Sequence, residues 1–313
     1  MCLIPASCST SKKSSPSRGA QSCPLPGSVE TVRDCPWAKI ARDMSSPAQP
    51  SWEAVLEDQA PDFRAQLEQD GRNPVWLDFW GQSLNWDEII KQPIVDPRIL
   101  DPLFLTTHAP PRQDRIVHAG IMHVYGYLFS NSTTPYGYKR ARWVDGEIEA
   151  GLGFPRGVFS PTPPGGTQFA NVTYLLARIA LVGEGVDRML LKNISSLDGS
   201  LLSYRFQDLE VTRLEETLGE MTLRSDFVEF PHPPLPGHQN THLLIYSVKE
   251  NSRTPAKLFT AFPVSRAFVN TALNEHNQGL NLPISSRYNA YVPGVTGVLP
   301  PKEGTRKVVD RPS

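Results

Sequence analysis

The pattern of apolar and polar positions in the last third of the chain reads as antiparallel sheet. Leu209 to Glu216 and Glu220 to Phe230 are strand-like runs separated by a short turn around Gly219, which predicts an antiparallel hairpin. Thr241 to Lys249 and Ala256 to Val264 predict another, joined across the sequence ENSRTP. Ser265 is placed to cap a helix running to Asn277, and Ile284 to Val292 reads as one more strand. Arg115 to Ser130 reads as one strand or a bent pair. Period two there puts His123, Tyr125, Tyr127 and Phe129 on one face, with His118, Met122 and Val124 opposite.

Helical spacing appears earlier. Trp52 to Asp70 predicts a helix broken at Pro61, capped by Ser51 and ended by Gly71, with Phe63 and Leu67 four apart on one seam. Asn85 is placed to cap a short helix from Trp86 to Lys91, and Pro93 to Arg112 reads as extended. Ser130 to Tyr138 is a turn, Ala141 to Ala150 a short helix closed by Gly151 and Gly153, and Phe154 to Gly166 a loop. Phe169 to Val182 is ambiguous: its length favours a buried helix, while Val172, Thr173, Tyr174, Ile179 and Val182 favour a strand. Strand runs mixed with helices, without β-α-β alternation, predict an α+β fold, mainly antiparallel sheet with flanking helices. The domain is expected over residues 51–295, between a disordered extension at 1–50 rich in Ser, Lys, Pro and Gly and a flexible tail at 296–313. Met44, just ahead of the folded-looking sequence, is a candidate functional start.

Composition removes some chemistries. All four cysteines, Cys2, Cys8, Cys23 and Cys35, precede residue 36, so the body has no cysteine nucleophile, disulfide or thiolate metal site. A formal net charge of −1 over 313 residues argues against a generic nucleic-acid binder. No apolar run approaches the roughly 18 residues that span a bilayer, and no secretory signal is evident. The expectation is therefore a cytoplasmic protein with no membrane association. The GxSxG elbow, the kinase signatures, the dinucleotide fingerprint and HExxH are all missing. Gly165-Gly166-Thr167 ahead of an apolar run lacks the lysine and spacing of a phosphate loop, and reads as an ordinary helix entry.

Candidate chemistry concentrates between Arg115 and Pro155. His118 and His123 are the groups best able to exchange protons near neutral pH, with Tyr125 beside them. Lys139 and Arg142 are placed to stabilise developing negative charge, and Tyr138 to orient a substrate. The two histidines are five apart, so they share one strand face only if the chain bulges at Gly120. A second candidate is His232, His238 and His242, with Glu229 or Asp226 as the carboxylate of a metal site. A third lies on the C-terminal strands, with Tyr246, Lys249, Thr260, Arg287, Tyr288, Asn289 and Tyr291; alternation puts Arg287, Asn289 and Tyr291 on one face, opposite Tyr288. Trp76, Phe79, Trp80 and Trp86 read as a core plug in preference to a ligand platform.

The expectation is an enzyme acting on a small molecule by metal-independent acid–base chemistry. His118, His123, Tyr125 and Lys139 are its catalytic residues, and Tyr138, Arg142, Arg287 and Tyr291 bind substrate. No cofactor or metal is expected. The alternatives are a metal-independent ribonuclease using the same residues, and a non-catalytic ligand-binding or assembly protein with the tryptophan cluster as its contact.

Overall fold

The computed structural model describes residues 35–46, 51–87, 90–134, 137–163, 165–218, 220–278 and 290–291. Its helices are α1 (Pro36–Ser45), α2 (Trp52–Gln59), α3 (Pro61–Arg72), α4 (Pro97–Thr107), α5 (Glu147–Leu152), α6 (Gln168–Ala180), α7 (Asp187–Lys192), α8 (Gly199–Ser203) and α9 (Arg266–Asn277). Its strands are β1 (Gln82–Leu84), β2 (Ile116–His118), β3 (Thr133–Thr134), β4 (Gly137–Tyr138), β5 (Val211–Leu218), β6 (Met221–Glu229), β7 (Asn240–Lys249), β8 (Lys257–Ser265) and β9 (Ala290–Tyr291). The fold is α+β. Among the described residues no helix is long and apolar enough to cross a membrane.

The two hairpins expected in the last third form one antiparallel sheet in the order β5-β6-β7-β8. Both of its faces are covered, so β7 reads as a nearly continuous apolar run. Leu243 and Ile245 enter the main core, while Leu244, Tyr246 and Val248 pack with Phe259 beneath Phe268 and Val269 of α9. Ser265 caps α9 as expected, accepting from the Phe268 N–H at 3.2 Å.

A smaller antiparallel sheet, in the order β2-β1-β9, adjoins the first. The junction is made at Gly81, whose N–H donates to the Leu258 carbonyl at 2.8 Å and whose carbonyl accepts from the Ala119 N–H at 2.9 Å. Between the sheets and the N-terminal helices lies α6. All of its residues except Arg178 and Ile179 are buried, which settles the ambiguous run as a helix. A helix apolar on every side loses the periodic signature that would identify it.

Several expectations are corrected. Residues 36–45 are a helix inside the segment expected to be disordered, and its Trp37, Ile40, Ala41 and Met44 enter the main core. Spacing of three and four residues carried that helix, but the composition of the flanking sequence masked it. Pro93 to Arg112 is not extended: Pro97 opens α4, and Asp96 caps it by accepting from the Arg98 N–H at 2.9 Å. Asn85 starts no helix; its amide donates to the Val95 carbonyl at 2.8 Å and accepts from the Val95 N–H at 2.9 Å, clamping the loop shut. Arg115 to Ser130 is strand only over β2, then a π-helical turn at Ile121–Tyr125 and a 3-10 turn at Gly126–Phe129. Ala141 to Ala150 divides into a 3-10 turn at Lys139–Trp143 and α5. Of Ile284 to Val292 only β9 is described. The expectations for residues 1–34, for the turn at Gly219 and for the 296–313 tail lie outside the described residues.

Candidate functional site

The small sheet separates the two central histidines. In register, Gln82 lies opposite His118 on one side and Tyr291 on the other. These three line an open cleft of about 700 Å³ that also includes His108, Asp78 and Lys257. Successive strand residues face opposite ways, so Ser83 points to the other face, and there its hydroxyl lies 3.3 Å from His123 Nε2. His118 and His123 therefore do not form an acid–base pair. The bulge at Gly120 that a shared face would require is absent: Gly120 has helical backbone and leads into the π-helical turn, and an added Cβ there would sit 2.6 Å from the Trp80 ring.

His118 is buried with both ring nitrogens engaged. Nε2 donates to the Leu77 carbonyl at 3.1 Å, and Nδ1 accepts from the Ile121 N–H at 3.2 Å. Burial pushes its pKa down to about 4. Those bonds fix where β2 hands over to the π-helical turn, so His118 holds the floor of the cleft in place.

His123 sits in a cationic cluster. Its Nδ1 lies 2.7 Å from the Thr260 hydroxyl on β8, and its ring packs on Tyr127 with centroids 4.6 Å apart. Arg142 donates to the same Thr260 hydroxyl at 3.2 Å, and its guanidinium covers the faces of Tyr127 and Phe262 at 5.0 and 5.1 Å. Lys139 stands over Tyr127 at 4.9 Å. Burial, then the charges of Arg142 and Lys139, hold His123 well below the usual histidine range. Burial also lowers Arg142 to about 10. His123, Tyr127 and Thr260 are buried, whereas Lys139 and Arg142 keep part of their surface exposed.

Tyr125 belongs to neither group. Its hydroxyl donates to Asp70 of α3 and accepts from the Phe169 N–H at 3.2 Å. Thr167 caps α6 and donates to the other Asp70 oxygen at 2.5 Å, while Gln66 accepts from the Gln168 N–H at 2.9 Å. The entrance of α6 is thus filled by the protein's own side chains, in keeping with an ordinary helix start at Gly165-Gly166-Thr167. Tyr138, on β4, stacks under the Arg140 guanidinium at 5.3 Å. Arg287 lies outside the described residues. Trp76, Phe79 and Trp80 are core residues, and Trp80 donates to Thr173 at 2.8 Å; only Trp86 is half-exposed, under Arg115 at 3.6 Å.

His232, His238 and His242 are not brought together. His232 is exposed, with its backbone N–H donating to the Gly151 carbonyl at 3.2 Å. His242 is on β7 opposite Glu229, bonded through Nδ1 to the Thr241 hydroxyl at 2.8 Å. His238 instead meets Glu147, with Nδ1 3.1 Å from Oε1, and Asp145 lies with them. The carboxylates expected beside these histidines are engaged elsewhere: Asp226 pairs with Arg213 at 2.6 Å and Glu229 with Arg266. Sequence reasoning missed Ser83 and Asp70, single residues with no local signature, and it placed Thr260 with the C-terminal strand face, whereas its hydroxyl meets His123 and Arg142. It also missed Asp145, Glu147 and Glu149, although three acids in five residues were a visible signal.

Comparison with protein-family models, with curated proteins and with solved structures finds no significant match. Fold and geometry therefore define the class alone: an α+β protein with a cleft on one face of a small sheet and a buried histidine–cation cluster on the other.

Proposed function

We propose that this protein binds a small organic anion against Lys139 and Arg142, and that His123 performs metal-independent acid–base chemistry on it. The observation that carries this reading is the shared hydroxyl of Thr260, which ties the titratable ring of His123 to the Arg142 guanidinium. With the site free of anion, two cations and burial keep the imidazole neutral. An anion docked against the partly exposed Lys139 and Arg142 offsets those charges and makes the imidazolium less costly. His123 then takes up a proton as the ligand arrives, from the ligand itself or from solvent, and is charged only when there is something to act on. Tyr127 packs on one side of the ring, tilted against it, and limits its rotation.

The test is calorimetry and histidine NMR with inorganic phosphate and succinate as separate probes. Either probe should bind with net proton uptake near neutral pH and raise the pKa of His123. Arg142→Met should abolish both effects while the fold persists. Failure of both probes to move the His123 resonance, or uptake undiminished in Arg142→Met, would refute the reading.

A further inference from the structure

We propose that Asp145, Glu147 and His238 form a binding site for one divalent transition-metal ion of the Mn²⁺ to Zn²⁺ series. This site is separate from the anion site above and does not depend on it. One ligand atom from each of the three residues lies within 4.8 Å of the others. Ligands bonded to a common ion at about 2.0–2.2 Å are at most about 4.4 Å apart, so small side-chain rotations complete the set.

The three residues come from two distant stretches that the fold holds against each other. Asp145 and Glu147 flank Gly146, whose φ of 82° belongs to the left-handed region and turns the chain into α5. His238 precedes β7 in the loop after β6. Asn240, the first residue of β7, donates its amide to Glu147 Oε1 at 2.8 Å. That bond orients the glutamate, as an outer partner of a metal ligand commonly does.

A second observation points to an absent cation. Asp145 Oδ1 is shielded from solvent and has no hydrogen-bond partner, and neither has Oε2 of the neighbouring Glu149. A buried carboxylate oxygen without a partner is among the costliest groups a fold can hold. The cations acting on this cluster from the packed elements are His238 on Asp145 and Arg156 on Glu149. One imidazole and one arginine must thus serve three carboxyls, whereas a single divalent ion satisfies Asp145 and Glu147 together. Two carboxylates with one imidazole form a mixed oxygen and nitrogen set, which favours manganese, iron or zinc over calcium or magnesium.

The experiment uses the full untagged chain, stripped with chelator and titrated separately with Zn²⁺ and Mn²⁺ by calorimetry. The expected result is one ion per chain, zinc held more tightly than manganese. Asp145→Asn and His238→Ala should each raise the Kd at least about tenfold, and His232→Ala and His242→Ala should leave it unchanged. Thermal melts of the metal-free variants accompany the titration. Asp145→Asn removes the negative charge beside the unpartnered, shielded Oδ1, so the metal-free variant should melt no lower than wild type. If it nevertheless fails to fold, the isosteric Glu147→Gln takes its place with the same expected loss of affinity. Uptake of neither ion by wild type, or a Kd unmoved by these substitutions, would overturn the proposal.

Discussion

Replacing Asp70 with asparagine should change the pH dependence of stability. Asp70 is 5 % exposed, and burial raises its pKa from 3.8 to about 7 against the opposing hydrogen bonds from Thr167 and Tyr125. Below about pH 4 folded and unfolded chains both hold the proton. Between about pH 4 and about pH 7 the unfolded chain releases it while the folded chain keeps it, so stability falls as pH rises. A gap of about three pKa units at about 1.4 kcal/mol each makes the loss about 4 kcal/mol, complete above about pH 7. The asparagine variant does not titrate at this position. Urea unfolding followed by tryptophan fluorescence on both proteins, from about pH 4 to about pH 8, gives the difference curve. Other titrating groups cancel in that difference when they are far from Asp70. The variant should gain on wild type across the window by an amount of this order. A flat difference would show that Asp70 has no shifted pKa. A difference of opposite sign would show that the two hydroxyl donors, worth about 1.5–3 kcal/mol each to a charged acceptor, outweigh desolvation.

Two further outcomes follow from packing and burial. Trp37→Ala should cost about 3–5 kcal/mol, because the indole is buried against Phe63 and Phe129 at 5.1 and 5.6 Å; a denaturation midpoint equal to wild type would show that α1 does not dock there. His118 should titrate near 4 by NMR, since its folded pKa lies below the ordinary 6.5. Its contribution to stability is then full above the unfolded value and fades as pH falls toward the folded one, and a midpoint at the ordinary value would refute the burial that lowers it.

The sheet was legible because its strands are rich in apolar, β-branched and aromatic residues and its turns are marked by Gly, Pro, Asn and Ser. β5 to β8 and α9 fall within one or two residues of the pattern. The N-terminal half was harder for a physical reason: its short elements are buried on nearly all sides. Along Ile121 to Phe129 every residue is buried, so neither a period of two nor one of 3.6 distinguishes an inner from an outer face. Proline misled in the opposite direction. Pro97 and Pro36 sit at the first turn of their helices, where a missing N–H costs nothing, and proline-rich composition there was read as extended or disordered.

The site was legible as a list of residues but not as a geometry. Lys139, Arg142 and His123 do meet, yet the hydroxyls that join or flank them, Thr260 and Ser83, lie 137 and 40 residues from His123. His118 and His123, five apart in sequence, are parted by the alternation of β1: Gln82 faces the cleft and Ser83 the cluster. Proximity in the chain therefore pointed to a pair that one strand divides. The acidic run from Asp145 to Glu149 makes the same point in reverse, for its histidine arrives from a loop more than ninety residues on, at His238. In both places a local run supplies the charges, and a residue brought by the large sheet decides what those charges can do.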